Sequence, residues 1–262
     1  MPGNNAAQRL SDIAERAINL GGNVAMTHGL NALFDYTPSD AYRQHATRFE
    51  QVHKQIDVAK IGLERLGVPA YLYDHLFNVL RNGFSVGALG LQFQHLQQHL
   101  PADVRLMLQW AAFMLEDEGG VVDQEEMSTL SSSLTALLKD VAGSSLPPTL
   151  RDFLCAHLED LKTGLEMRPI TGAEPLQKAV KTLAADLVAN EEKLRDADNL
   201  SLEQKGSLLN RAGQIFNKAA ELASTAGKGA DGIEKVWKTV TQTAPQIGHW
   251  AQQGLNLLTS SN

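Results

Sequence analysis

Between residues 38 and 66 apolar side chains return every seven positions, and that spacing admits little besides a long α-helix. Tyr42, Phe49, Ile56 and Leu63 form one series, and His45, Val52, Ala59 and Leu66 form a second. Interleaved, they trace a coiled-coil-like seam four heptads long with His45 as its polar member. A histidine there has two readings. Protonation would place charge in a packed seam, making a pH-sensitive element. The favoured reading is simpler: His45 fixes register or sits at a wet, frayed end of the helix.

Helical signals continue along the chain. Leu10, Ile13, Ala14 and Ala17 share a face within residues 6–20, and Gly21-Gly22 interrupts that run. Thr37-Pro38-Ser39-Asp40 supplies an N-cap, a first-turn proline and an early acid for the heptad helix. Gly67 ends it, and Pro69 opens a helix running to Gly83. In the charge-free stretch 82–102, Val86, Leu89, Phe93, Leu96 and Leu100 step by three and four, so a further helix is predicted. The helix begun by Pro101 turns Val104, Leu108, Ala111 and Leu115 inward.

Three capping boxes follow: Asp123 with Glu126, Thr171 with Glu174, and Ser201 with Gln204. Each precedes a periodic run, and Ser144 to Pro148 launches another helix bearing Leu150, Leu154, Leu158, Leu161 and Leu165. The prediction is an all-α, multi-helix bundle of about nine helices with short connections. Few aromatics against abundant Leu and Ala agree with helices packed through aliphatic side chains. Candidate boundaries are Gly119-Gly120, the acidic stretch Arg195–Asn199 and the Gly-rich Ala226–Gly232; the first and last are taken as the divisions. They divide the chain into an N-terminal bundle (1–120), an acidic helical region (121–225) and a hinge with a charge-poor tail (226–262).

The block from Leu146 to Val188 carries a Leu-Pro-Pro opening and an Ile170-Thr171-Gly172-Ala173-Glu174 turn. It resembles segments of uncharacterised bacterial all-helical proteins. The resemblance implies a bacterial origin and brings no activity or functional residue with it.

Charge and cysteine content exclude some functions. The formal net charge is −7, with an acidic body and a mildly basic end: residues 201–262 hold six basic and four acidic side chains. An acidic body opposes nucleic-acid binding, which needs clustered Lys and Arg. Cys155 is the only cysteine, so neither an internal disulfide nor a Cys-rich zinc site can form. The opening Met-Pro-Gly-Asn-Asn lacks the basic and apolar regions of a secretory signal. A cytoplasmic location is therefore expected, with peripheral attachment at an inner membrane as the alternative.

Screening for chemistry leaves no catalytic constellation. His95 and His99 stand one helical turn apart, a usable metal spacing, but the residues between them are Leu, Gln and Gln. Glu50 and His53 make one Glu-x-x-His, whereas a di-iron bundle needs two. A metal-dependent bundle enzyme using Glu50, His53, His95 and His99 is thus the third-ranked reading. Cys155 and His157 are two apart on a helix and point in different directions. No metal and no cofactor is expected.

The tail offers the functional idea. Ile233, Val236, Trp237, Val240, Ile247, Leu255 and Leu258 lie at helical spacing, with Trp250 in the same segment and no charge after Lys238. Pro245 would bend the helix, and the polar residues throughout make it a poor membrane span. Such a stripe needs a cover. The first reading is a non-enzymatic interaction or oligomerising protein that binds itself or another protein through this face or through the seam. The alternative is a membrane-targeting effector, a toxin or antiviral-defence component, acting through the same helix.

Overall fold

The computed structural model describes residues 4–35, 41–118, 124–190 and 202–225. The fold is all-α. Among these residues there are ten α-helices, two 3-10 helices and no β-strand; one isolated antiparallel bridge joins Ala25 to Gln92. The chain divides into two compact units.

The first unit contains residues 1–119 and 166–172. Its helices are α1 (Ala6–Ile18), α2 (Met26–Phe34), α3 (Ala41–Arg65), α4 (Asp74–Gly83), α5 (Phe93–Gln98) and α6 (Ala102–Met114). Short 3-10 turns, Ala70–Leu72 and Val86–Gly90, precede α4 and α5. The long helix α3 supplies the core. Phe49, Val52, Ile56, Ala59 and Leu63 are each fully buried, and the Phe84 ring meets Phe49 edge-on at 5.3 Å. Burying each large member stabilises the unit by roughly 1.5–3 kcal/mol. Gly67, at φ +74, ends α3: its amide donates to the Glu64 carbonyl and the Val68 amide to that of Leu63. That paired closure needs a left-handed residue, which glycine adopts without steric cost.

Helix α1 lies against α6 and α3. Asn5 caps it, accepting from the Gln8 amide at 3.0 Å, while its side-chain amide donates to the carbonyls of Ala112 in α6 and Leu115 just after it. One side chain thus satisfies both a helix start and a helix end. Arg9 is almost wholly buried, and its guanidinium donates to Gln55 Oε1 (2.6 Å), Glu118 Oε2 (2.8 Å) and the Ile170 carbonyl (3.2 Å). These bonds tie α1, α3, the segment after α6 and residues 166–172 into one unit.

Two expected helices differ here, and one helix has no counterpart in the sequence pattern. The helix predicted from Pro69 to Gly83 is split at Tyr73, and the one predicted across 82–102 is broken into a 3-10 turn and the six-residue α5. Ser85, Gly87 and Gly90 interrupt the second run, because apolar periodicity does not offset glycine's backbone entropy. Helix α2 was not predicted at all.

The second unit contains α7 (Gln124–Ala142), α8 (Pro148–Thr171) as far as Leu165, α9 (Glu174–Ala189) and α10 (Leu202–Thr225). Its core is aliphatic: Leu134, Leu137, Leu158, Leu161, Leu183, Leu187 and Ala219 are fully buried, and the Phe216 ring joins them. The Gln177 amide bridges α9 to the Ala223 carbonyl of α10 at 3.1 Å. The predicted Thr171–Glu174 capping box is not formed. Thr171 belongs to α8 and its hydroxyl donates back to the Met167 carbonyl at 3.0 Å, while α9 starts from Ala173 without a side-chain cap. Asp123 and Ser201, of the other two boxes, lie outside the described residues, as does the Thr37–Asp40 cap.

Candidate interaction surface

The structure separates the residues singled out in sequence into three groups. The first is the seam. Its central members, Phe49, Val52, Ile56 and Leu63, are consumed by the core of the first unit. Its ends are not: Tyr42 is 56% exposed and Leu66 50% exposed, contrary to their assignment to the packed seam. Tyr42 is the second residue of α3 and Leu66 lies one residue past its end at Arg65.

His45 is buried, not wet. Its Nε2 lies 2.8 Å from Asn31 Oδ1, and Arg48 stands one turn away with its guanidinium 5.5 Å from the centre of the Phe34 ring and 3.9 Å from Glu166. Burial, reinforced by the Arg48 charge and opposed by a hydrogen bond with the Thr27 backbone, lowers the His45 pKa to about 4. The imidazole is therefore neutral near pH 7 and adds no charge to the seam.

The second group is the histidine set. Glu50, His53 and Tyr42 line one open groove of about 560 Å³ on α3, together with Val86. His53 is engaged, donating from Nε2 to the Arg81 carbonyl at 3.1 Å, and Glu50 pairs with Lys54 at 3.2 Å. The His95 and His99 rings, at the C-terminal end of α5, lie with centres 4.6 Å apart and planes tilted by 54°, and His99 Nδ1 donates to the His95 carbonyl at 2.9 Å. Among the described residues no three His, Cys, Asp or Glu side chains converge in a way that would hold a metal ion. The four residues of the metal-enzyme reading are not brought together.

Cys155 and His157 likewise take separate partners. His157 Nε2 lies 3.4 Å from Asp186, and its ring meets Phe153 edge-on at 4.4 Å. Burial lowers the His157 pKa, with Asp186 and Asp160 acting the other way. Burial raises the Cys155 pKa, and Glu159 and Asp152 add to the effect, so the thiol is protonated near neutral pH. That environment suits a packing residue, not a nucleophile.

The third group is the tail. Ile233, Val236, Trp237, Val240, Ile247, Trp250, Leu255 and Leu258 all lie outside the described residues.

What sequence reasoning missed is the outer face of α6. Its inner face is buried as expected through Val104, Leu108 and Ala111. On the opposite side Leu106 is 67% exposed, Trp110 38%, Phe113 87% and Met114 39%. Spacings of four, three and one place these side chains on one stripe. The ends of the stripe are acidic, with Asp103 before it and Glu116 and Asp117 after it, while Glu118 is paired with Arg9. The one basic residue along the helix, Arg105, pairs with Glu15 of α1 at 3.5 Å. A helix apolar on every side is normally enclosed, and α6 is enclosed on only one. That double-sidedness is the signal the sequence offered.

The second unit carries a groove between α7 and α10, about 670 Å³ in volume, lined by Glu125, Glu126, Thr129, Ser133, Arg211 and Lys218 among others. Lys218 lies 3.2 Å from both Glu126 and Glu221 at one end, and Arg211 lies 2.6 Å from Asp140 at the other. Among the described residues no helix is long and apolar enough to cross a membrane. Compared with protein-family models, curated proteins and solved structures, the chain matched none.

Proposed function

We propose that this chain is a non-enzymatic interaction protein that binds other protein, a second copy included, through the outer face of α6. The observation that carries the reading is the exposed stripe of Leu106, Trp110, Phe113 and Met114. With full side-chain areas of roughly 150–250 Å² each, their exposed portions amount to about 450 Å². Patches of that order are the largest seen on ordinary monomers and are often functional. Covering them gains about 11 kcal/mol gross at 25 cal/mol per Å², against an association cost of roughly 4–15 kcal/mol. The stripe therefore suits the centre of an interface completed by polar contacts around it. Trp110 and Phe113 are of the residue types that anchor such centres.

The acidic ends of the stripe disfavour an anionic bilayer, which they would repel. A catalytic reading draws no comparable support from the separated histidines and the protonated thiol.

Substituting Leu106→Asp and Phe113→Asp together tests the reading. Both side chains are exposed, so the circular dichroism spectrum and melting midpoint should stay as in the wild type while self-association or partner binding is lost. A folded double variant with undiminished association and biological activity would refute it.

A further inference from the structure

Helix α5 sets two imidazoles side by side and leaves three of their four nitrogens unused. With ring planes tilted by 54°, His95 and His99 are not a face-to-face stack. His99 Nδ1 lies 2.9 Å from the His95 carbonyl, which can only accept. The neutral His99 ring therefore carries its proton on Nδ1 and leaves the Nε2 lone pair available. Among the described residues the His95 imidazole has no hydrogen-bond partner, and the free nitrogens of both half-buried rings reach solvent. Packing holds His99 from its other side. A β-carbon added at buried Gly83 of α4 would lie 2.7 Å from His99 Cβ, so only glycine admits this close approach.

We propose that His95 and His99 together bind a divalent transition-metal ion of the nickel, copper and zinc group. Distance supports it first. Metal–nitrogen bonds of about 2.0–2.1 Å, meeting at roughly 90–110°, hold two imidazole centres about 4.5–5 Å apart. The observed separation is 4.6 Å. The hydrogen bond supports it next. Histidine ligands characteristically donate their second ring N–H to a carbonyl or carboxylate, which fixes the tautomer and makes the other nitrogen a stronger ligand. His99 already makes that bond, and His95 can turn its ring without breaking one.

The surroundings select the ion. Residues 82–102 contain no Asp, Glu, Lys or Arg. The cations that flank the stretch, Arg81 and Arg105, are committed to Asp57 and Glu15. Within the stretch no ammonium or guanidinium opposes a bound cation, and no carboxylate is present for calcium or magnesium, which take oxygen ligands. Imidazole nitrogen suits nickel, copper and zinc, with copper held tightest. Among the described residues no third His, Cys, Asp or Glu completes the set, so water fills the remaining positions. The site is open and exchangeable, unlike the closed four-ligand sites that hold folds together. It uses neither Glu50 nor His53 and is independent of the α6 face.

Copper(II) iminodiacetate tests the pairing in the full-length chain, purified without a histidine tag. The chelate leaves copper open to two further donors, so two adjacent imidazoles hold it more tightly than any of the other six histidines alone. One equivalent should bind, and pulsed electron paramagnetic resonance should show two imidazole nitrogens on the copper. His95→Gln should weaken binding about tenfold or more. So should His95→Gln combined with Gln98→His, which keeps eight histidines but sets the pair about 100° apart around the helix. Neither side chain makes a hydrogen bond among the described residues, so the circular dichroism spectrum of both variants should match the wild type. Equal affinity in either variant, a single coordinated nitrogen, or no binding with the chelate in excess would overturn the proposal. Nickel(II) ion alone supplies a second measurement: it should raise the thermal midpoint of the wild type and leave that of His95→Gln unmoved. An equal rise in both would place the ion elsewhere and refute the assignment.

Discussion

Replacing Gly164 by Ala sets two effects of opposite sign against each other within helix α8. In an exposed helix interior the change stabilises by about 1 kcal/mol, because alanine restricts the unfolded backbone. At Gly164 a β-carbon would lie 2.9 Å from Leu176 Cα, 3.0 Å from Leu176 N and 3.2 Å from the Pro175 carbonyl carbon. Ordinary carbon contacts are about 3.5–4.0 Å, and all three neighbours are backbone atoms of the first turn of α9. No rotamer change relieves the overlap, so α9 must shift, and Leu176 is part of the buried core. Overpacking of this kind costs roughly 1–3 kcal/mol or more, which outweighs the propensity gain. The expected net loss is about 1–2 kcal/mol. Followed by thermal unfolding in circular dichroism, the midpoint should fall by roughly 4–10 °C. Gly62→Ala is the matched control, since its β-carbon would meet only the Leu115 side chain, a methyl group 2.6 Å away. That methyl can turn aside, so the control should leave the midpoint unchanged or raise it. A Gly164→Ala variant as stable as the wild type would show that α8 and α9 do not approach closely at this point.

The heptad core and the buried histidine give two further expectations. Ile56→Ala removes a fully buried side chain from the middle of α3 and should cost about 2–5 kcal/mol in denaturant unfolding; an unchanged midpoint would contradict the core described above. His45 titrates near 4 in the folded chain against 6.5 unfolded, so the unfolded state binds the proton first. Stability is therefore unaffected above about pH 6.5 and falls as pH drops toward 4, by up to about 3 kcal/mol from this residue. His45→Gln should flatten that limb of the stability–pH curve, and an identical slope in the variant would exclude His45 as its source.

The parts of the fold that could be read from sequence are those whose burial is periodic and local. The α3 seam, the inner face of α6 and the leucine runs of α7 to α10 each announce the face they bury. Helix α2 does not. Its nine residues have no side-chain cap, and Gly29 lies within it to let the Phe93 ring sit against its backbone. Tertiary packing sustains that helix, and no local pattern encodes it. The grouping of residues 166–172 with the first unit rests on contacts as distant as Arg9 with Ile170, which sequence spacing does not reveal. Thr171 looked like a cap because its own chain offers two partners, and the Met167 carbonyl won. The α6 stripe was visible throughout. The inner face alone satisfies the helical period, so Leu106, Trp110 and Phe113 add nothing to the prediction of the helix.

Photo-cross-linking from position 113 tests the central claim most directly. A benzophenone amino acid replacing Phe113 in the full-length chain should yield adducts of defined mass with protein, and Leu106→Asp in the same chain should abolish them. The same probe at His75, exposed on α4, should give none. Adducts that persist with Leu106→Asp, that form equally from position 75, or that are absent from position 113 would contradict the account of α6 as a binding face.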